Sequence, residues 1–237
     1  MTNEIAENND GIPSLTITIV VPAYNEQDHI ADTIRQILSG IPNSVADYEL
    51  IIIDDGSSDS TGDIIRAFTD PRIRCIVNER NIGKGAALIS GFRQARMEWV
   101  LFTDADLQIN ISNLESFLKQ VDGNDLICGF RQRRRDPIMR LVISRIYTAV
   151  IHAVLGFHLR DLGCPFKLIR KSLLDECQLQ SRGFFIDTEL IYAAFTKGLR
   201  IKELGVACQP RQKGRSTVRL RHVFEMVREL LELQHRW

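Results

Sequence analysis

The residues best suited to chemistry stand at the end of an apolar run. Asp104, Asp106 and Gln108 follow the strand-like segment from Trp99 to Thr103. Carboxylate and amide oxygens are the ligands that Mg²⁺ and Mn²⁺ prefer, and a site with few protein ligands leaves positions for substrate phosphates. Side chains alternate along an extended chain, so all three would share one face if the chain stays extended. An Asp-x-Asp pair is also common in surface turns, so the metal interpretation depends on the rest of the chain.

Three upstream segments repeat the order of apolar strand and polar turn. Strands are predicted over 15–21, 48–53 and 73–77, and apolar residues at helical spacing follow each turn. Parallel sheets bind ligands outside the carboxyl ends of their strands, so these turns should converge on one crevice. The sequence therefore predicts an α/β fold with a mostly parallel central sheet flanked by helices. The three turns are Pro22–Glu26, Asp54–Thr61 and Asn81–Gly85.

The second half of the chain is less regular. Residues 125–131 predict another strand that ends in a basic residue. The segment 138–157 contains arginines, whereas a membrane span needs roughly 18 uncharged apolar residues. It predicts one amphipathic helix, or a pair of turns, lying on a surface. Apolar residues at helical spacing from Val223 to Leu233 predict a C-terminal helix that packs on the domain or on an identical subunit.

The turn Gly83-Lys84-Gly85 has an alternative interpretation as a phosphate loop, because glycine and lysine beside a helix start suit phosphate. The spacing excludes the nucleotide-hydrolase loop: its first glycine is missing, and Gly85 stands where Ser or Thr should bind magnesium. The first strand ends in Pro-Ala-Tyr-Asn-Glu, which excludes the dinucleotide-binding fingerprint.

In this order, four motifs resemble the family 2 glycosyltransferases of the GT-A fold. They are Val20–Glu26, Asp54–Asp59, Gly83–Gly85 and Asp104–Gln108. Within that family the chain looks most like the dolichyl- or polyprenyl-phosphate mannosyl- and glucosyltransferases. The resemblance implies a GT-A nucleotide-sugar-binding fold and metal-dependent transfer, with inversion, of mannose or glucose. The implied donor is a GDP- or UDP-hexose, and the implied acceptor is a polyprenyl or dolichyl phosphate.

The resemblance also implies roles for individual residues. Asp104, Asp106 and Gln108 would hold Mg²⁺ or Mn²⁺. The residues implied to contact the nucleotide sugar are Pro22, Tyr24, Glu26, Ile52, Asp54, Lys84, Asp104, Ala105, Asp106, Gln108 and Arg211.

The acceptor phosphate has its own implied set. Arg131 and Arg145 match the arginines that hold this phosphate in the polyprenyl-phosphate enzymes, and with Asp104 and Asp106 they form the implied catalytic set. Arginine suits the role because its planar fork of donors matches phosphate oxygens. The segment from Arg211 to Ser216 resembles a mobile loop that closes over the donor phosphate, and Ser216 joins the acceptor set.

Asp187 leaves two interpretations open. It is well placed to be the N-cap of a following helix. Alternatively, Asp187 or Glu189 is a site carboxylate, because relatives with hydroxyl acceptors place a general base in this neighbourhood.

Composition favours an enzyme domain over a tail, a fibre or a nucleic-acid module. The 237 residues contain 30 basic and 30 acidic side chains, and the length suits one domain. The basic clusters 131–135 and 211–215 have no interleaved aromatic residues for base stacking, so no nucleic-acid partner is expected. The five cysteines are scattered, which fits a reducing cytosol.

We expect residues 1–13 to be a disordered lead-in, 14–218 the catalytic domain and 219–237 an amphipathic helix. Many members of the resembled group carry membrane helices after the catalytic domain. The chain is therefore expected to be a naturally soluble member or a truncated piece. We expect it to lie peripherally on the cytoplasmic face of a membrane, with a homo-oligomer or a membrane-anchoring protein as possible partner.

Two alternatives to the polyprenyl-phosphate function remain open. One is a family 2 transferase that acts on a sugar hydroxyl. The other is a nucleotide-sugar-binding protein without turnover, which the intact Asp104, Asp106 and Gln108 argue against.

Overall fold

A computed structural model describes residues 15–106, 108–132, 138–209 and 220–234. Within these ranges seven strands form one sheet, in the order β3-β2-β1-β4-β6-β5-β7. The strands are β1 (Leu15–Ala23), β2 (Val45–Asp54), β3 (Ile73–Val77), β4 (Trp99–Thr103), β5 (Leu126–Gln132), β6 (Phe166–Arg170) and β7 (Ile201–Ala207).

The first four strands run parallel to one another, so their carboxyl ends lie at one edge of the sheet. Strand β6 runs antiparallel to both β4 and β5, and β7 runs parallel to β5. The structure confirms the α/β class and the strands predicted for β1 to β5. The sequence interpretation missed β6 and β7.

The helices cover both faces of this sheet. They are α1 (Ile30–Gly40), α2 (Thr61–Arg66), α3 (Lys84–Gln94), α4 (Leu114–Leu118), α5 (Ile138–Leu155), α6 (Lys171–Glu176), α7 (Ile186–Thr196) and α8 (Leu220–Gln234). The segment predicted as one helix or a pair of turns is one helix, α5. Among the described helices, none is long and apolar enough to cross a bilayer.

The core consists of two apolar clusters that share the strands. In β4, Trp99 and Leu101 belong to one cluster, whereas Val100 and Phe102 belong to the other. Burial on both faces explains why β4 is apolar from Trp99 to Phe102 and does not alternate with polar residues. Helix α1 packs on the first face, and α3, α7 and α8 pack on the second. Leu230 and Leu233 fix α8 to this core and Met226 packs against it, whereas Val227 and Leu231 of the same stripe are exposed.

Candidate active site

A cavity of about 670 Å³ lies at the carboxyl ends of β1, β2, β3 and β4. The turn after each of these strands contributes to its lining, so the predicted convergence of the four turns is confirmed. The loop before α7 and one side of α8 complete the described lining. The lining residues are Pro22, Ala23, Tyr24, Glu26, Asp55, Asn81, Ile82, Gly83, Lys84, Asp104, Ala105, Asp106, Arg182, Gly183, Phe184, Glu225, Arg228 and Glu229.

The turns after β1 and β2 are bonded to each other. The Asn25 side-chain oxygen accepts a hydrogen bond from the Ser58 amide at 2.8 Å, and the Glu26 amide donates to the Thr61 hydroxyl at 2.9 Å. These bonds hold the turn that brings Pro22, Tyr24 and Glu26 to the cavity. The structure therefore places these three sequence-predicted residues together.

The turn after β2 contributes Asp55 to the described lining of the cavity, not Asp54. The Asp55 carboxylate accepts hydrogen bonds from the amides of Ile82 and Gly83, each at 3.0 Å. Asp54 is buried and accepts the Ser57 amide at 3.0 Å, which closes the turn. Ile52 is fully buried in the core. The predicted nucleotide contacts of Ile52 and Asp54 stay predictions.

The turn after β4 places Asp104, Ala105 and Asp106 on the cavity. The strand ends at Thr103 and the chain turns at once, so the condition under which Gln108 would share the face of Asp104 and Asp106, an extended chain, is not met. The backbone N–H of Gln108 donates to the Asp106 carboxylate at 3.2 Å. Its predicted metal contact stays a prediction, and it is outside the described lining.

A chain of alternating charges leads from the cavity into the core. Lys84 Nζ lies 2.8 Å from Asp104 Oδ1 and 3.7 Å from Asp187 Oδ2. Lys167 Nζ lies 2.5 Å from Asp187 Oδ1, and it also donates to the carbonyl oxygens of Leu162 and Cys164. Asp187 therefore lies between two ammonium groups, and Lys84 lies between two carboxylates.

The electrostatic balance at Lys84 favours its charged form. Burial alone would lower the pKa of this ammonium group, but Asp104 and Asp187 together raise it above its usual value. Lys84 is thus a fixed positive charge in the wall of the cavity. A fixed cation at this position suits a ligand that carries phosphate.

Asp187 does not cap α7. The N-cap is Phe185, and Asp187 lies in the first turn of the helix, with its carboxylate directed to the lysines. Glu189 accepts hydrogen bonds from the amides of Gln180 at 3.0 Å and Ser181 at 2.8 Å. Both carboxylates are almost fully buried, at 3% and 2% exposure, and neither belongs to the described lining of the cavity.

The loop before α7 is held against α3 by two glycines. The Gly85 amide donates to the Arg182 carbonyl oxygen at 2.9 Å. A Cβ atom at Gly83 would lie 2.3 Å from this same oxygen, and one at Gly85 would lie 2.3 Å from the Ser181 oxygen. Gly83 also has a φ of 99°, which favours glycine. Gly83 and Gly85 therefore allow the backbone at the start of α3 to approach the backbone of the loop before α7 closely.

Helix α8 forms a wall that the sequence interpretation missed. Glu225, Arg228 and Glu229 lie at helical spacing on the side that lines the cavity, and the Ser181 hydroxyl donates to the Glu229 carboxylate. Burial raises the pKa of Glu229 above its usual value. The signal was present as charged residues three and four positions apart, but the apolar stripe of the same helix drew the interpretation to packing.

The predicted acceptor residues lie elsewhere in the described chain. Arg131 is paired bidentately with Asp161, at 2.7 and 2.8 Å, and its side chain is 9% exposed. Arg145 is exposed on α5. Neither belongs to the described cavity lining, and both acceptor assignments stay predictions. Arg211 and Ser216 lie outside the described residues.

A divalent cation is implied for this site by the resemblance. In the described ranges no three His, Cys, Asp or Glu side chains come together as a metal site. Asp104 and Asp106 both line the cavity, and Mg²⁺ is commonly bound by one or two carboxylates with substrate phosphates completing its shell. Acidic side chains also outnumber basic ones in the described lining. The donors therefore fit a cation that binds together with a diphosphate.

The sequence model of glycosyl transferase family 2 matches residues 18–178. This span includes the four strand-end turns and ends at the beginning of the loop between α6 and α7. The chain belongs to this family, as its motifs indicated.

Curated relatives cover most of the chain. It is 28% identical to a dodecaprenyl-phosphate galacturonate synthase of Rhizobium johnstonii, over 97% of this chain and 69% of the relative. It is 27% identical to an undecaprenyl-phosphate 4-deoxy-4-formamido-L-arabinose transferase of Edwardsiella ictaluri, over 91% of this chain and 66% of the relative. For the enzyme of that name from Salmonella choleraesuis, identity is 30% over 70% of this chain and 52% of the relative. The matched relatives are thus longer than this chain.

Solved structures confirm the GT-A fold. Glucosyl-3-phosphoglycerate synthase from Mycobacterium tuberculosis, in complex with Mn²⁺, UDP and glucosyl-3-phosphoglycerate, superposes with a TM-score of 0.70. The identity is 22%, over 92% of this chain and 77% of that one. The same enzyme with Mg²⁺ and UDP gives a TM-score of 0.69 at 21% identity, over 92% and 77% of the two chains.

Replacing Gly85 with alanine should loosen the loop before α7. The new methyl group would lie 2.3 Å from the Ser181 oxygen and 2.8 Å from the Gly183 oxygen, so one backbone must move. A strain of about 1–3 kcal/mol should speed hydrogen exchange of the Gln180 and Ser181 backbone amides by about fivefold or more. Gly163→Ala is the control, because its Cβ would meet Arg131 only at 3.9 Å. Equal exchange in both variants would contradict the close approach.

Proposed function

We propose that this chain transfers a sugar from a nucleotide sugar to a polyprenyl phosphate, with inversion at the anomeric carbon. The observation that carries the proposal is the placement of Asp104, Asp106 and Lys84 around one cavity at the carboxyl ends of the parallel strands. The names of the curated relatives, which specify dodecaprenyl and undecaprenyl phosphate, support this acceptor class.

The leaving group in such a transfer is a nucleoside diphosphate, whose negative charge grows as the bond to the sugar breaks. Lys84 supplies a fixed positive charge at the cavity, and Asp104 and Asp106 would hold a Mg²⁺ or Mn²⁺ ion. When bound, the ion neutralises the developing charge on the diphosphate. Pro22, Tyr24 and Glu26 line the same cavity and are proposed to contact the nucleotide.

The surroundings of Asp187 and Glu189 favour a phosphate acceptor over a sugar hydroxyl. A hydroxyl needs a carboxylate that removes its proton, whereas a phosphate monoester has a second pKa near 6 and is largely a dianion at neutral pH. Asp187 is bonded to Lys167 and Glu189 to loop amides, and both are buried. These contacts favour a structural or positioning role for both carboxylates over proton removal. The hydroxyl-acceptor function would then lack the base expected from Asp187 or Glu189.

We propose a wider range of transferred sugars than the mannose or glucose that the motifs imply. The motif resemblance implies mannose or glucose from GDP or UDP, whereas the named relatives act with galacturonate or a formamido-arabinose. A donor panel should therefore hold UDP- and GDP-linked hexoses together with UDP-galacturonate. Release of nucleoside diphosphate in the presence of a short polyprenyl phosphate would identify the donor.

A lipid acceptor implies work at a membrane surface, and α5 has features that suit it. Ile146, Val150 and Val154 are 60%, 41% and 40% exposed at a spacing of four residues, which puts them on one side of the helix. Exposed Arg145 adjoins this stripe. A helix with exposed apolar residues and a cation can lie at the interface of an anionic bilayer. We propose peripheral attachment to the cytoplasmic face on this basis.

Turnover should require Mg²⁺ or Mn²⁺ together with both strand-end carboxylates. Asp104→Ala and Asp106→Ala should each lower kcat by at least about 10²–10³-fold, because the leaving group loses its charge stabilisation. Release of nucleoside diphosphate measures this, and excess chelator should stop it reversibly. Asp63→Ala is the control, since its side chain is 80% exposed and pairs only with nearby Arg66 among its described ion pairs. Full turnover in chelator would contradict the metal assignment.

The nucleophile can be tested with two lipids that differ only at the head. Polyprenyl phosphate should react and the corresponding polyprenol should be inert. With saturating donor, Asp187→Asn and Glu189→Gln should each keep at least about a tenth of kcat, well inside the 10²–10⁴-fold cost of removing a general base. A loss beyond a thousandfold in a variant with an unchanged thermal transition would instead support the hydroxyl-acceptor function.

Arg145 is the cleaner test of the acceptor arginines, because Arg131→Ala would also remove the bidentate partner of buried Asp161. Arg145→Ala should raise the acceptor KM by about ten- to a hundredfold through loss of a charge-assisted contact, with donor affinity unchanged. The matched control is Arg35→Ala, an exposed arginine on α1. If Arg145→Ala weakened nucleotide binding and spared the acceptor, the assignment would be wrong.

A further inference from the structure

Among the described residues, buried Asp187 forms an ion pair with one residue of the cavity lining, Lys84. Its other described charged partner is Lys167, which is fully buried and 2.5 Å away. Lys84 is 14% exposed, and its ammonium group is shared between Asp104 at 2.8 Å and Asp187 at 3.7 Å. The arrangement is unequal, because Lys84 is closer to the carboxylate that would bind a cation than to the one inside the protein.

This inequality has a consequence when a cation and a diphosphate bind. A divalent ion on Asp104 would take up the carboxylate charge that now neutralises Lys84, and it would repel the ammonium group. A buried cation without a counter-charge is costly. Asp187 is the second carboxylate within reach of Lys84, and the diphosphate brings further negative charge. Asp187 and the diphosphate together therefore let Lys84 leave Asp104 and remain charged in the cavity wall, while Lys167 stabilises the Asp187 carboxylate inside the core.

We propose that Asp187 is a positioning residue for donor binding: it retains Lys84 at the cavity so that the ammonium group turns from Asp104 to the donor diphosphate when the metal binds. This inference rests on the proposed nucleotide-sugar donor. It assigns Asp187 a role through Lys84 and in nucleotide affinity, not in proton removal. Lys84 thereby exchanges places with the metal on Asp104.

Nucleotide affinity without acceptor tests this directly. Calorimetric titration of GDP and UDP with Mn²⁺ should show a Kd raised by about ten- to a hundredfold in Lys84→Met, which removes a charge-assisted contact. Asp187→Asn should raise the Kd by at least about fivefold, a bound below that charge-assisted range because Lys84 is retained but misplaced. Combining Lys84→Met with Asp187→Asn should weaken binding no more than about threefold beyond Lys84→Met alone, because Asp187 acts through Lys84. If the Kd of the double variant rose by the product of the two single-variant effects, the inference would be overturned.

The same variants separate positioning from a loss of structure. Asp187→Asn leaves Lys167 with a reduced counter-charge, so the double variant Asp187→Asn with Lys167→Met removes both charges of the buried pair. It should show the nucleotide defect of Asp187→Asn with a thermal transition nearer to that of the unmodified protein. Glu49→Gln is the control, since Glu49 is a buried carboxylate paired with Arg74 outside the described lining of the cavity. A nucleotide defect of equal size in Glu49→Gln would overturn the inference.

Lys84→Met should change Mn²⁺ affinity, measured without nucleotide, in the direction opposite to its effect on nucleotide affinity. Lys84 competes for Asp104, so Lys84→Met should bind Mn²⁺ alone more tightly than the unmodified protein while binding the nucleotide less tightly. Failure of the unmodified protein to bind any nucleoside diphosphate would count against the proposed function. Normal nucleotide binding by both the unmodified protein and Asp187→Asn would count against the positioning role alone.

Discussion

The structure of the candidate site depends on the alternation of charge along Asp104, Lys84, Asp187 and Lys167. Each charge has an opposite neighbour, which compensates for the loss of water around three groups that are nearly or fully buried. These residues come from the end of β4, the start of α3, the start of α7 and β6. One network therefore connects the parallel strands, which form the turns of the cavity, to the antiparallel strand that follows.

The family model covers only one of the two parts of the described cavity wall. The turns after β1 to β4 lie within residues 18–178, the span matched by the family. Arg182, Phe184 and the charged side of α8 lie beyond it. The curated relatives nevertheless match this chain over 97% and 91% of its length. Within the second wall, Glu229 accepts a hydrogen bond from Ser181 and so connects α8 to the loop before α7.

Periodicity and strand-end composition predicted the first five strands and their shared edge, because both are local properties of the sequence. The predictions that the structure did not bear out depended on the exact position of one residue in a turn, or on partners that are distant in sequence. Asp54 and Asp55 are adjacent, and only the turn after β2 decides that Asp55 is the one on the cavity. The face of Gln108 depended on whether the chain stays extended, and the strand ends at Thr103. Of the two interpretations of Asp187, the N-cap is contradicted. Its actual partners, Lys84 and Lys167, are far away in sequence and could not be predicted from local pattern.

Asp104 and Asp106 should bind a divalent cation tightly only together with a diphosphate, because Lys84 neutralises Asp104 until then. Electron paramagnetic resonance of Mn²⁺ tests this by measuring free ion as protein is added, first alone and then with saturating GDP or UDP. The protein alone should bind Mn²⁺ weakly. The complex of protein and nucleotide should bind Mn²⁺ at least about tenfold more tightly than the nucleotide does without protein, as for a linked charge-assisted contact. Tight Mn²⁺ binding without nucleotide, or no change in Mn²⁺ affinity when nucleotide is added, would contradict this arrangement.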